Sequence, residues 1–431
     1  MTNPIEHTAR QHGVPYARER FGTARRIGSG GLKIESLFCP ENDQSPFETS
    51  QWEIRSAAIK DESGNALFEQ TNCEIPADWT QLATNVVVSK YFYGDPHKPA
   101  ERERSVRQLI HRVSRTITDW GLADGYFDSP EDGDRFYREL TWLCLHQHGA
   151  FNSPVWFNVG LAAQYNVSGA KCNYFWDPET QSVQQPENAY EYPQGSACFI
   201  QSVDDNMEDI MRLAYAEAML FKFGSGTGTD LSTIRSQREK LSGGGTPSGP
   251  LSFMRVYDSI AGVVKSGGKT RRAAKMQSLK VWHPDIMEFI QCKWGEEQKA
   301  HALIREGYES NFNGEAYSSV CFQNANLSVR LTDVYMETVR DGGTWQTRWI
   351  SEKMDADAAP SYDAKELLNS MAECAWHCGD PGVQYDTTIN KWHTCPNSGA
   401  INASNPCSEY MFIDDTACNL ASMRLRASSG V

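Results

Sequence analysis

Within five residues, Asn405-Pro406-Cys407-Ser408-Glu409 gathers an amide, a thiol and a carboxylate, and a second cysteine, Cys418, follows eleven residues after Cys407. Pro406 fixes its own φ and pushes Asn405 towards an extended conformation. Side chains alternate along an extended segment, so Asn405, Cys407 and Glu409 are expected to share one face and to converge on one substrate. The competing reading is a buried structural cysteine beside a surface glutamate, the ordinary state of a lone cysteine. The 12 cysteines make up about 3% of the chain, too sparse for a disulfide scaffold. Met1 to Arg20 has no apolar stretch that would read as a signal peptide, so the cysteines read as buried, metal-binding or redox-active, and the expected location is the cytoplasm.

Two glycine-rich segments invite nucleotide-binding readings. Phe223-Gly-Ser-Gly-Thr-Gly-Thr229 places Thr229 where a dinucleotide fingerprint needs its third glycine, and it follows a helical pattern instead of a strand. Either Gly224 caps that helix before a flexible loop, or the glycines admit a ligand close to the backbone. In Gly262 to Lys275, Val263 occupies the position of the first P-loop glycine, yet five basic residues surround Gly267-Gly268 in an otherwise acidic chain. A loop whose N–H groups and cations face a phosphate is favoured there over a solvated basic face. Cys374, His377, Cys378, His393 and Cys395 lack the Cys-x-x-Cys spacing of a zinc knuckle, and Cys374 and Cys378 stand one helical turn apart, as packing residues do. No metal site is expected.

Of the 431 residues 40% are hydrophobic and 22% charged, as in a globular protein, and the net charge of −14 argues against a nucleic-acid coat or a polybasic membrane surface. No apolar run reaches membrane-spanning length. Residues 1–95 read as an appendage with many breaks. Residues 96–148 read as a helical subdomain, on the 3.6-residue spacing of Val106, Leu109, Ile110, Val113 and Ile117 and the capping run Ser129-Pro130-Glu131-Asp132. From residue 149 onward strands are expected at Ala197–Val203, Ser278–Trp282 and Ser318–Leu331. Helices are expected at Asp205–Phe223, Leu251–Lys265, Pro284–Trp294 and Ala364–Cys378, a parallel α/β sheet or barrel, with an excursion at Gly342–Ser361.

Asn405-Pro-Cys-Ser-Glu409, Ala417-Cys-Asn-Leu420, Gly195-Ser-Ala-Cys-Phe199 and Phe151-Asn-Ser-Pro-Val-Trp156 occur in the order seen in ribonucleotide reductase catalytic subunits. Ala83-Thr-Asn-Val86, Ser89-Lys-Tyr-Phe92, Gly267-Gly-Lys-Thr-Arg-Arg272 and Gly379-Asp-Pro-Gly382 extend the likeness. From about Leu82 to Leu425 the chain resembles the class II, adenosylcobalamin-dependent branch of that family. The resemblance implies that Cys407 becomes a thiyl radical taking the 3′ hydrogen of a ribonucleotide, with Glu409 as base on the 3′ hydroxyl and Asn405 bonding the ribose hydroxyls. Cys198 and Cys418 match the dithiol that reduces the substrate and is itself restored by a thioredoxin-like reductant. Ser153, Ala197, Cys198, Gly226, Pro406 and Ser408 match substrate-contacting positions. Asp205 and Arg235, with Lys269 and Arg271 on the loop Gly267–Lys275, match the site for deoxynucleoside triphosphate or ATP effectors, which in the family lies at a homodimer interface.

The fold implied is the N-terminal half of a ten-stranded α/β barrel, preceded by a mainly helical region. The chain stops thirteen residues after Cys418, so the second half-barrel is expected from a complementary polypeptide. The alternatives are a non-catalytic nucleotide-binding or regulatory remnant, or a class I fragment served by a separate radical-generating subunit. Neither nucleic acid nor membrane is expected as a partner.

Overall fold

Trp52–Lys60 (β1) and Ala66–Pro76 (β2) pair as an antiparallel hairpin that buries Ala57, Cys73 and Ile75, in a stretch whose sequence breaks hide any period. The computed structural model describes residues 30–41, 44–60, 64, 66–95, 98, 101–264, 273–311, 314–351 and 354–424. The chain divides into two compact units, residues 1–195 with 420–431, and residues 196–419. Among the described residues no helix is long and apolar enough to cross a membrane.

In the first unit, helix α1 (Val106–Ala123) starts at a capping box of Ser105 with Gln108. Helix α2 (Pro130–Leu145) starts at Ser129, with Pro130 in its first turn. Both helices stand where the sequence places them. Val106, Leu109 and Ile110 pack with Ile75, Val88, Phe92 and Leu145 in one core. A buried ion pair, Arg112 to Glu103 at 2.9 Å, is completed by the Tyr165 hydroxyl and by the Val159 carbonyl, which accepts from Arg112. It pins the segment that follows the short helix Ser153–Asn158.

The second unit is built on a six-stranded sheet. Its strands are β3 (Cys198–Gln201), β4 (Gly226–Asp230), β5 (Lys275–Lys280), β6 (Ala325–Leu331), β7 (Gly382–Tyr385) and β8 (Thr416–Cys418), in the spatial order β7-β6-β5-β4-β3-β8. The first five are parallel and β8 runs antiparallel to β3. Each parallel strand is laid beside its predecessor in one direction, the progression that winds a barrel; a doubly wound sheet reverses. Five parallel strands so arranged are the half-barrel that the resemblance implies.

Helices α3 (Met207–Lys222), α4 (Gly249–Val263), α5 (Ile286–Arg305) and α6 (Ala364–Cys378) connect these strands. Leu213, Tyr257, Phe289, Val329, Leu367 and their neighbours form the core beneath the sheet. Helix α5 runs eleven residues past the expected end at Trp294, because Gly295 to Lys299 carries no apolar period to mark it. The region expected as an excursion holds a small hairpin, Thr344–Gln346 against Ser361–Asp363.

Candidate active site

Strand β4 is Gly-Thr-Gly-Thr-Asp, a poor strand former by composition, yet all five residues are buried. Gly224, at φ +92°, ends α3 as a cap, so that half of the capping reading holds. The expected flexible loop is instead a central strand. What approaches its glycines is the protein's own chain. A Cβ at Gly228 would stand 1.7 Å from the Ser404 carbonyl oxygen, and one at Gly226 would stand 2.7 Å from Pro406 Cγ. The segment that carries Asn405, Cys407 and Glu409 therefore crosses the sheet face on a bed without side chains.

This segment is a turn, which corrects the expected extended geometry. The Ser408 N–H donates to the Asn405 carbonyl at 3.1 Å, and Ser408 takes a left-handed φ of +63°. Asn405 and Glu409 meet because the chain folds back, not because side chains alternate. Asn405 Nδ2 donates to Glu409 Oε1 at 2.6 Å, while its Oδ1 accepts from the Tyr410 N–H at 3.0 Å. With both ends committed, the amide has one orientation. Asn405 and Pro406 are buried, whereas Cys407 and Glu409 are exposed.

Strand β3 brings Cys198 into this group, with its sulfur 4.0 Å from Glu409 Oε1. Burial, reinforced by the charge on Glu409 and the other two cysteines, pushes the Cys198 thiol up to about 11, against the pull of its Asn405 hydrogen bond. Cys418, on β8, stands directly opposite Cys198 in the antiparallel register, and both are free thiols. Opposed residues in such a pair have Cα atoms about 4.5–5.5 Å apart. That lies within the span of about 4.4–6.8 Å that a disulfide bridges. Burial followed by the charge of Glu409 raises Cys418 as well. Ala197 and Gly226 flank Cys198, the first by sequence and the second across β4.

Several residues that hold the turn were not singled out from sequence. Asn326 Nδ2 donates to the Pro406 carbonyl at 3.0 Å, and Gln384 Nε2 donates to the hydroxyls of Ser404 and Ser408. The fully buried Arg330 bonds Asp386, Gln384 and the Ile401 carbonyl, fixing the entry to the turn. The available signal is a period of two: Asn326, Ser328 and Arg330 are polar alternates in a strand whose other face is Leu327, Val329 and Leu331.

Ser153 belongs to the first unit, where its hydroxyl is 3.0 Å from that of Tyr91. Asp205 and Arg235 pair with each other. Lys269 and Arg271 fall outside the described residues. Lys275, counted from sequence among the basic residues of a phosphate-binding loop, is instead the first residue of β5, fully buried and ion-paired with Glu217, so it presents no charge to a ligand. A cavity of about 470 Å³ opens at the carboxyl ends of β3, β4 and β5, and among the described residues none of the expected site residues lines it.

Residues 196–429 match the family Ribonucleotide reductase, barrel domain. The chain belongs to the ribonucleotide reductase family. Residues 53–147 match Class II vitamin B12-dependent ribonucleotide reductase, which places the chain in that branch. It is 80% identical over 421 residues to the Vitamin B12-dependent ribonucleotide reductase of Rhodopirellula baltica, covering 98% of this chain and 40% of that protein. It is 46% identical to the one of Streptomyces coelicolor, covering 92% of this chain and 38% of that protein. A relative in Mycobacterium tuberculosis, named Vitamin B12-dependent ribonucleoside-diphosphate reductase, is 34% identical, covering 53% of this chain and 30% of that protein. The chain thus spans about 40% of the length of the curated relatives it matches.

Proposed function

We propose that this chain provides the thiyl cysteine, the base and the reducing dithiol for the conversion of ribonucleotides, ribonucleoside diphosphates first among them, to deoxyribonucleotides. The observation that carries the reading is the meeting of Cys198, Cys418, Asn405 and Glu409 on one face, with the two strand cysteines in direct register. The fit of adenosylcobalamin is tested at Cys407, which is exposed while Asn405 beside it is buried. A sulfur that must be reached from outside the sheet needs that placement, so the residue fits. When bound, the cofactor supplies the radical that Cys407 carries.

The chain's own groups do the rest. The Cys407 sulfur takes the 3′ hydrogen of the ribose and returns it once the 2′ carbon is reduced, and the Glu409 carboxylate takes the 3′ hydroxyl proton and gives it back. Asn405, its amide already oriented, bonds the ribose hydroxyls. The 2′ hydroxyl leaves as water, and the two electrons required come from Cys198 and Cys418, which close a disulfide that a thioredoxin-like dithiol protein must reopen. Gly226, Ala197, Pro406 and Ser408 form the floor, and Ser153 is assigned to the substrate as well. Asp205 and Arg235, with Lys269 and Arg271, take the nucleotide effector at a homodimer interface. The rest of the barrel, in the same or a separate polypeptide, completes the site in the cytoplasm.

The test is reduction of a ribonucleoside diphosphate with adenosylcobalamin and a dithiol, using this chain together with a polypeptide that carries the remainder of the relatives' length. Turnover that Cys407→Ala abolishes is the expected result. Binding of deoxynucleoside triphosphates with no turnover in the assembled protein would overturn the reading in favour of a regulatory one.

A further inference from the structure

On the helix side of the sheet, directly behind the turn, stands a buried ion pair that the chemistry above does not use. Glu217 of α3 and Lys275 of β5 are both fully buried, and their side chains are bonded to each other. Thr227 Oγ1 donates to the same Glu217 oxygen at 3.0 Å, and the Lys275 ammonium lies 4.7 Å from the centre of the Tyr257 ring. Thr227 and Lys275 are opposite one another in the β4–β5 register. Thr227 also lies between Gly226 and Gly228, so its side chain leaves one face of β4 while the two glycines lie bare on the other.

Stability alone gives little reason for such a pair. Two buried charges lose their hydration, and a well-packed apolar pair of similar volume commonly holds a protein together as well. A buried pair does distinguish one strand register from its neighbours. A slip of one residue along β4 would put a threonine where a glycine now stands. The space at Gly228 ends at the Ser404 carbonyl, and that at Gly226 ends at Pro406 and the Ala274 carbonyl. No Cβ fits at either place, so the turn could not lie on the sheet.

We propose that the Glu217–Lys275 pair is the positioning element of the cysteine turn. By tying α3, β4 and β5 in the one register that leaves a side-chain-free bed under Ser404 to Pro406, it fixes where Cys407 is presented. The inference rests on Cys407 as the reacting residue, and both members of the pair are positioning residues, on the opposite face of the sheet from the turn.

The experiment uses the full chain, assembled with the remainder of the barrel, and replaces the pair by an apolar one, Glu217→Met together with Lys275→Met. Amide exchange over residues 403–412 is expected to rise at least about tenfold, while exchange within α5 stays unchanged. The turnover number is expected to fall at least about tenfold with KM held within about twofold. The swap of Glu217→Lys with Lys275→Glu restores the pair in reverse and is expected to recover most of the protection. If the apolar variant does not fold, Thr227→Val keeps both charges, removes only the hydroxyl link, and is expected to raise exchange over 403–412 about threefold. Unchanged exchange over 403–412 in a folded apolar variant, or in Thr227→Val where that variant alone folds, overturns the proposal. A parent enzyme without any turnover would sink the reductase reading and leave this inference to the exchange data.

Discussion

Cys198 shows how the same burial that builds the site restrains it. Its thiol, pushed up to about 11, stays protonated at neutral pH and keeps the hydrogen that the proposed chemistry asks it to deliver. Because only the thiolate reacts with iodoacetamide, labelling of Cys198 in the folded chain should climb about tenfold per pH unit and show no plateau below about pH 10. A plateau near the ordinary cysteine range would mean that Cys198 is not shielded as described. Glu409→Gln keeps an oxygen for Asn405 to bond but removes the carboxylate proposed as the base. Reductase turnover should fall by about 10²–10⁴-fold while the Cys198–Cys418 disulfide still closes with oxidant. Loss of both functions together would point to a collapsed turn. The motif Asn405 to Glu409 was visible in the sequence because its residue types are unusual company. Its geometry was not, since the left-handed Ser408 that turns the chain back carries no compositional mark.

At the scale of elements, β4 is the least legible part of the fold and the one the site depends on most. Gly226 and Gly228 lower its strand propensity, and only the burial of all five residues between β3 and β5 makes it a strand. The helices α1, α2 and α6 were legible because caps and apolar spacing agree. The hairpin β1–β2 and the outer half of α5 lacked such agreement. Gly228→Ala tests the requirement for a bare strand: with a carbonyl oxygen 1.7 Å from the new Cβ, denaturant unfolding should show a loss at the upper end of, or beyond, about 1–3 kcal/mol. Gly243→Ala, in a loop with open space around the added methyl, should stay within about 0.5 kcal/mol of the parent. Equal effects at the two positions would contradict the packing described.

For the molecule as a whole, the fold class was readable from the alternation of strands and helices and the half-barrel from the resemblance, whereas the order of strands across the sheet was not legible, since no pattern in one sequence states which strands are neighbours. The sheet ends on one side at β7, a four-residue strand in which Val383 and Tyr385 are exposed. An apolar strand edge invites pairing with another chain, and a lysine there opposes it. Val383→Lys should lower the concentration-dependent light scattering of the isolated chain without changing its melting temperature. Scattering that does not respond would mean that this edge is not an association surface.

The register of Cys198 with Cys418 also has a topological side. The second unit begins two residues before Cys198 and ends one residue after Cys418, so a bond between these sulfurs joins the unit's two ends. Each oxidation would turn a linear segment into a ring, and each reduction would cut it open again. A closed loop of that length removes chain entropy from the unfolded state worth about 5 kcal/mol at most. The oxidised form should therefore melt at a higher temperature than the reduced form, by a margin that vanishes in Cys418→Ser. In the proposed reaction the protein would alternate, at every turnover, between two chain topologies of unequal resistance to unfolding.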